Sequence, residues 1–290
     1  MEIALWGVAG VAGAAVLAAV LAFGGRAGLM YLTFYRRPKG HPGSFTRRPD
    51  DGAVVVCAGD SLTHATVSGD YVARLRRRLP STRFVNAGRN GDTAEGLLGR
   101  LGEILACEPT DVVILIGTND VRRSRPHAAF AADVAAILTR LTPAARVALL
   151  SIPPQGDRPD DPVNDVVASY NLLLADLADE HGAGYVPVHE RLAALAADDA
   201  GTDRPATTGV SSYLRLTAWH LLARRSWDSL AARRGSTVLV DGVHLSDRAA
   251  DEVADLVAER LGRAALQRGF TGTGEGGPHT SDRGGRHDGS

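Results

Sequence analysis

The fold is decided by residues 54–63, which read VVVCAGDSLT. Their run of small and β-branched apolar residues predicts a buried strand that breaks at Gly59. The first polar side chains beyond the break are Asp60 and Ser61. A serine at the C-terminal end of a parallel strand lies where open α/β sheets bind ligands. An isolated Gly-Asp-Ser also fits an ordinary loop, so its meaning depends on the rest of the chain.

Three further segments follow in order, NAGRNGDT at 86–93, GTND at 117–120 and DGVH at 241–244. Together with residues 54–63 they resemble the four sequence blocks of the SGNH, or GDSL, hydrolase family, over roughly residues 53–261. The resemblance implies a flavodoxin-like three-layer α/β/α sandwich with a parallel sheet of about five strands. It also implies a hydrolase of carboxylic esters that uses neither a metal nor an organic cofactor.

Alternating apolar runs and helical patterns independently indicate a parallel sheet covered on both faces. The predicted strands are Ala53–Ala58, Arg83–Ala87, Asp111–Ile116, Arg146–Ile152 and Gly184–Val188, and the predicted helices are Tyr71–Leu79, Ala94–Cys107, Pro126–Leu141, Asn164–His181 and Ser246–Leu261.

The N-terminus predicts a single-pass membrane anchor within residues 1–35, because Ile3–Phe23 carries no charge and is long enough to cross a bilayer. Basic residues follow this segment, which favours a cytoplasmic domain. Anchored relatives of the resembled family act outside the membrane, so the orientation stays open, as does a soluble enzyme without an anchor. The basic residues are Arg26, Arg36, Arg37, Lys39, Arg47 and Arg48.

The remaining chain divides into a linker at 36–51, a hydrolase domain at 52–266 and a disordered tail at 267–290. An insertion at 201–235 interrupts the strand and helix rhythm, and Tyr213–Arg233 predicts an amphipathic helix there. This helix is either a lid, a face that lies on lipid, or a helix packed on the domain with a solvated basic side. We favour the packed helix. A glycine pattern at 272–277 lacks the flanking strand and helix that dinucleotide binding requires.

The four blocks supply the groups that acyl transfer needs. A serine hydroxyl becomes nucleophilic when a base takes its proton and a third group orients that base. Ser61 is the candidate nucleophile, His244 the base and Asp241 its partner three residues earlier. Asn119 and the backbone N–H of Gly91 are candidate oxyanion donors, and the resemblance adds the backbone N–H of Ser61.

Other polar residues of the blocks are assigned to structure. Asp60 is expected to point away from the chemistry, Asn86 to tie loops together and Asp120 to cap the next helix or bond loop backbone. Gly88 competes with Gly91 for the donor role. His64 lacks an evident carboxylate partner and is expected at the surface or the pocket lining.

Composition limits the alternatives. With 32 basic and 33 acidic residues, the net charge of −1 gives no electrostatic case for nucleic acid. Cys57 and Cys107 fit the core better than a disulfide or a metal site. O-acetylated carbohydrate, lipid ester and thioester stay open as substrates, as does acyl transfer to an alcohol. A membrane-tethered, non-catalytic binding domain is the rival class, and the oligomeric state is not predicted.

Overall fold

The computed structural model describes residues 24–49, 51–200 and 209–271. Its centre is a five-stranded sheet in which every neighbouring pair is parallel, in the order β2-β1-β3-β4-β5. The predicted parallel sheet is therefore confirmed. The strands are β1 Val54–Gly59, β2 Arg83–Gly88, β3 Asp111–Leu115, β4 Arg146–Leu150 and β5 Gly184–Val186.

Helices connect the strands and cover the sheet. Short turns at Tyr31–Tyr35 (π-helical) and Pro42–Ser44 (3₁₀) precede β1. The helices are α1 at residues 24–30, α2 Ser61–His64, α3 Tyr71–Arg78, α4 Ala94–Leu98, α5 Leu101–Leu105, α6 Thr118–Arg122, α7 His127–Leu141, α8 Val163–Glu180, α9 Val188–Leu195, α10 Val210–Leu221, α11 Trp227–Ala232 and α12 Asp247–Thr271.

Successive residues of β1 face two different cores, as the pleat of a strand requires. Val54, Val56 and Ala58 pack in a cluster with residues of α4, α5, α7 and α8. Val55 and Cys57 pack in a second cluster with residues of α3, α9 and α12. The molecule therefore has the three layers that the sequence predicts, and β1 is an interior strand between β2 and β3.

Two predicted helices are each divided in the structure. The pattern at Ala94–Cys107 forms α4 and α5, because Arg100 leaves the helical conformation and turns its side chain inward. The pattern at Tyr213–Arg233 forms α10 and α11, because the Ser226 side chain accepts a hydrogen bond from the backbone N–H of Ser229 and starts a new helix. Helix α10 packs on the molecule through Leu214, Leu216 and Thr217, as in the packed-helix interpretation.

The structure describes parts of the segments on either side of the predicted hydrolase domain. The predicted linker lies against β2, since the backbone N–H of Asn86 donates to the Gly40 carbonyl at 2.9 Å and Arg76 donates to the Lys39 carbonyl at 2.9 Å. Helix α12 continues to Thr271, into the predicted tail. No helix among the described residues is long and apolar enough to cross a membrane. The predicted span Ile3–Phe23 lies outside the described residues.

Candidate active site

A continuous hydrogen-bonded chain joins three of the predicted site residues at the carboxyl end of the sheet. Ser61 is the first residue of α2, directly after β1 and its Asp60 cap. Its Oγ lies 3.1 Å from Nε2 of His244. Nδ1 of the same ring lies 2.8 Å from Oδ2 of Asp241. The structure thus brings together residues that are separated by 183 positions in the sequence.

A tight loop before α12 holds the imidazole and the carboxylate in register. Oδ1 of Asp241 accepts hydrogen bonds from the backbone N–H groups of Val243 at 3.1 Å and His244 at 2.8 Å. Gly242 has a φ of +85°, which favours glycine at this turn. The spacing of three residues acts here through a loop, and the other oxygen of the carboxylate stays aimed at the ring.

Asp241 and His244 shift each other's pKa in opposite directions. Burial acts to raise the pKa of Asp241, but the His244 charge and the hydrogen bonds from His244 and Val243 outweigh it and lower this pKa. Burial acts to lower the pKa of His244, but the Asp241 charge and hydrogen bond outweigh it and raise that pKa. The carboxylate is therefore ionised and accepts a hydrogen bond from the N–H at Nδ1. In the neutral imidazole this leaves Nε2 to accept a hydrogen bond from the Ser61 hydroxyl.

Asp60 is buried and caps α2, which is the structural role that the sequence predicts, but it does not point away from the chemistry, since its Oδ2 lies 3.4 Å from Nδ2 of Asn119. Its Oδ1 accepts from the backbone N–H of Leu62 at 2.9 Å, and burial raises its pKa to about 7. Asn86 joins the end of β2 to α2 instead of two loops, donating to the Thr63 carbonyl at 2.7 Å and accepting from the Gly88 N–H at 2.9 Å. A Cβ at Gly88 would lie 2.2 Å from the backbone nitrogen of His64, so the packing of α2 against β2 requires a glycine at this position.

The loop with Gly91 is fixed by a buried ion pair that the sequence analysis did not identify. Arg100 donates to Asp92 at 2.7 Å and to the Gly59 carbonyl at 3.1 Å, and both charged side chains are buried. Gly91 has a φ of +75°, and a Cβ at this position would make only an ordinary contact, 3.8 Å from the Arg123 side chain. The glycine at 91 therefore reflects the turn and not the avoidance of a clash. The signal for Arg100 was the Gly99-Arg100 step inside an otherwise helical pattern.

Asn119 lies beside this loop at the end of β3. Its Nδ2 donates to the Asp92 carbonyl at 2.9 Å and makes a longer contact of 3.4 Å with Oδ2 of Asp60. Its neighbour Asp120 accepts a hydrogen bond from the backbone N–H of Ala94, the first residue of α4; this helix precedes Asp120, whereas the sequence analysis expected a cap on the next helix or a bond to loop backbone.

The Ser61 cavity, about 310 Å³, is lined by Ser61, Gly91, Asn119 and His244 and also by segments that the sequence motifs do not include. Phe34 and Tyr213 lie edge to face with ring centroids 6.2 Å apart, and Tyr213 contacts His244 in the same way at 5.5 Å. Thr33 Oγ1 donates to Thr217 Oγ1 at 3.0 Å. The described lining of the Ser61 cavity is Thr33, Phe34, Ser61, Thr66, Val67, Asn90, Gly91, Asn119, Arg122, Tyr213, Val243 and His244.

His64 lies on a second cavity of about 500 Å³, which we call the arginine cavity after Arg36, Arg37, Arg89 and Arg100 in its lining. Nδ1 of His64 lies 2.6 Å from Thr66 Oγ1, and burial lowers its pKa to about 4. Among the described residues, no three His, Cys, Asp or Glu side chains are grouped to hold a metal ion.

Comparisons with known proteins agree with this architecture. The sequence matches the GDSL-like Lipase/Acylhydrolase family over residues 57–218, more than half of the chain. No curated protein matches the chain. Solved structures that resemble it include an acetyl xylan esterase, AlAXEase, with 18% identity and a TM-score of 0.52 over 72% of this chain and 99% of that one.

Two further solved structures have the same fold. Axe2, an acetylxylan esterase from Geobacillus stearothermophilus, has 19% identity and a TM-score of 0.53 over 73% of this chain and 95% of that one. The lipase/acylhydrolase from Enterococcus faecalis has 20% identity and a TM-score of 0.52 over 73% and 97%. At these identities the likeness establishes the fold.

The family match establishes the class of enzyme, a carboxylic ester hydrolase. The chain belongs to the GDSL-like lipase/acylhydrolase family, as the four sequence blocks predict.

Proposed function

We propose that this protein hydrolyses carboxylic esters through an acyl-enzyme intermediate on Ser61. The observation that carries the proposal is the unbroken series of contacts from Ser61 Oγ to His244 at 3.1 Å and from His244 to Asp241 at 2.8 Å. Nucleophile, base and orienting carboxylate need this mutual geometry for serine catalysis. A non-catalytic binding domain has no use for such an ionised, buried pair beside an open cavity.

The first half of the reaction forms the acyl-enzyme. Ser61 Oγ attacks the ester carbonyl while Nε2 of His244 takes the hydroxyl proton. Asp241 stabilises the imidazolium that results and holds the ring in place. When the tetrahedral intermediate collapses, the carbon–oxygen bond to the alcohol breaks and His244 returns the proton to the leaving alkoxide.

The second half regenerates the enzyme. A water molecule gives its proton to Nε2 of His244 and attacks the acyl carbon. The bond to Ser61 Oγ breaks, the serine recovers the proton, and the carboxylic acid leaves. The net reaction is ester and water to acid and alcohol, with Ser61 and His244 returned to their starting states.

Three donors are proposed for the oxyanion that forms in both halves. The backbone N–H of Ser61 lies in the first turn of α2, where no acceptor within the helix exists for it. Gly91 and Asn119 line the same cavity. One amide hydrogen of Asn119 is held by the Asp92 carbonyl, and the contact with Asp60 at 3.4 Å is long enough to be exchanged for the oxyanion.

Acetyl esters of carbohydrates are the first substrates to screen, because two of the solved structures with this fold are described as acetyl xylan esterases. Acyl transfer to an alcohol uses the same groups and differs in the exclusion of water. Product analysis in the presence of glycerol separates transfer from hydrolysis.

Replacement of the serine tests the mechanism. Ser61→Ala should abolish hydrolysis and labelling by a fluorophosphonate, because it removes the hydroxyl that lies 3.1 Å from Nε2 of His244. Ser81→Ala, an exposed serine away from the cavity, is the matched control and should keep both. Equal labelling of Ser61→Ala and the wild type would remove Ser61 from the mechanism.

Membrane attachment through Ile3–Phe23 is a separate part of this proposal, supported by the absence of charge over that segment. The basic residues that follow support a domain on the cytoplasmic side. Fractionation of the full chain tests the attachment, since an unattached enzyme stays in the supernatant. Fusion of alkaline phosphatase after Ser290 tests the side, and strong phosphatase activity would contradict a cytoplasmic domain.

A further inference from the structure

The two cavities at the carboxyl end of the sheet adjoin each other. Phe34 and Asn90 line both the Ser61 cavity and the arginine cavity. A substrate whose ester lies at Ser61 can therefore extend past this pair into the arginine cavity. The combined space is large enough for an alcohol part of several heavy atoms.

The charge of the arginine cavity is predominantly positive, with four arginines and one glutamate in its described lining. Two of its four arginines are neutralised, since Arg100 pairs with Asp92 at 2.7 Å and Arg89 with Glu103 at 3.2 Å. Arg36 and Arg37 are exposed, and neither forms an ion pair with another described residue. Glu103 is the only carboxylate in the described lining. Two cationic side chains thus line a cavity without a counter-charge of their own.

Arg122 extends the same pattern into the Ser61 cavity. It is exposed and without an ion pair among the described residues, and no described carboxylate lines that cavity. Burial and the Arg122 charge both act to lower the pKa of His244. The charge therefore opposes the imidazolium that ester hydrolysis has to form, so catalysis alone does not explain an arginine here. The excess is local, because the whole chain carries a net charge of −1.

We propose that the substrate is an anionic ester, with its ester bond at Ser61 and a phosphate or carboxylate of its alcohol part held by Arg36 and Arg37. Guanidinium groups bind these anions through two parallel hydrogen bonds, which suits a pair of uncompensated arginines. A negative substrate also offsets the Arg122 charge beside His244 when it binds. This inference rests on the proposed function and names the substrate class for the same site.

The test compares two esters that differ in one charged group. The full-length enzyme is assayed by acetate release from 1-acetylglycerol and from 1-acetylglycerol 3-phosphate, at low and high NaCl. The wild type should favour the phosphate ester, and NaCl should reduce that preference by screening. The double variant Arg36→Gln/Arg37→Gln should lower the ratio of kcat/KM between phosphate and neutral ester about 10-fold, mainly through KM. Arg140→Gln removes an exposed arginine of α7 and should keep the wild-type ratio.

A second arm separates the sources of the anion. Long-chain 1-acylglycerol and its 3-phosphate are presented in micelles of a neutral detergent. A preference for phosphate in water identifies a soluble anionic alcohol, and a preference confined to micelles identifies a lipid headgroup. Equal kcat/KM for charged and neutral esters in both arms would overturn the inference while Ser61-dependent hydrolysis remained. If Ser61→Ala kept wild-type hydrolysis, the proposed function itself would fail.

Discussion

The two walls of the Ser61 cavity are built in different ways. The first wall contains Ser61 and Asn119, which follow strand ends inside the family match, and His244, which lies 26 residues beyond the end of the match at 218. Its polar groups are held by buried charges and hydrogen bonds. The second wall contains Phe34, ahead of the matched region, and Tyr213, near the end of that region. These two rings are held by aromatic contacts.

The difference between the two walls suggests that the first carries out catalysis and the second selects the substrate. Acyl transfer needs atoms placed within fractions of an ångström, and buried ion pairs and strand ends provide that placement. Substrate choice needs only a surface of suitable shape, which half-buried rings on helices provide. We therefore expect substitutions in the first wall to lower kcat for every ester and substitutions in the second to change the ranking of esters.

The largest effect is expected at Asp241. Asp241→Asn keeps the shape of the side chain but removes the charge that fixes the His244 tautomer, so kcat should fall about 10⁴-fold. The pKa of His244 should also fall, because the Asp241 charge raises it. The acid limb of the residual kcat/KM profile should then move to lower pH. A variant with near-normal kcat and an unmoved limb would detach Asp241 from the mechanism.

The ion pair under the first wall should dominate stability. Asp92→Ala leaves the buried Arg100 guanidinium without its carboxylate, which should lower the free energy of unfolding by about 3–5 kcal/mol. The matched control is Glu103→Ala, which breaks the exposed pair with Arg89 and should change it by less than about 1 kcal/mol. Urea titration measures both. Equal effects of the two variants would mean that the buried pair does not hold the loop.

Much of the first wall could be predicted from the sequence, for a physical reason. A buried parallel strand is a continuous apolar run, and the polar residues that follow it are forced to the same edge of the sheet. Residues 54–63 alone therefore placed β1 within one residue at each end and put Ser61 at its carboxyl side. The end of β5 was placed two residues late, at 188, because Pro187 terminates the strand.

The second wall could not be predicted in the same way. Thr33 and Thr217 are 184 positions apart, and nothing in the local pattern of either segment indicates their contact. Aromatic residues such as Phe34 and Tyr213 fit any apolar face, so their composition does not mark a cavity. Arg100 was missed for a related reason, since an arginine in a helical pattern is normally exposed and its burial depends on Asp92.

Asn119 tests whether the first wall stabilises the transition state. Asn119→Ala should lower kcat about 10²–10³-fold with a small change in KM, because an oxyanion donor acts after the substrate is bound. Asn90→Ala, on the same cavity, should cost less than about 10-fold, since Asn90 has no part in the donor set. If both variants lost the same factor, Asn119 would be a positioning residue.

Phe34 tests the second wall directly. Phe34→Ala removes a ring from the junction of the two cavities and should raise the ratio of kcat/KM for acetate esters of a bulky alcohol over those of a small alcohol about 10-fold, while kcat for the small ester changes little. Tyr31→Ala is the matched control from the same segment, because Tyr31 is 58% exposed and lines neither cavity. An unchanged alcohol preference in Phe34→Ala would show that this ring does not limit the alcohol part.

The smallest effect is expected at Arg122, which lines the Ser61 cavity together with residues of both walls. Burial and the Arg122 charge both lower the pKa of His244, although the Asp241 interaction outweighs them. Arg122→Gln should therefore raise this pKa and move the acid limb of kcat/KM for a neutral ester to higher pH, so that activity is lost earlier as the pH falls. High salt should reduce the shift, since Arg122 is exposed. Arg140→Gln should leave the limb in place, and a limb that moved to lower pH in Arg122→Gln would contradict the assigned charge interaction.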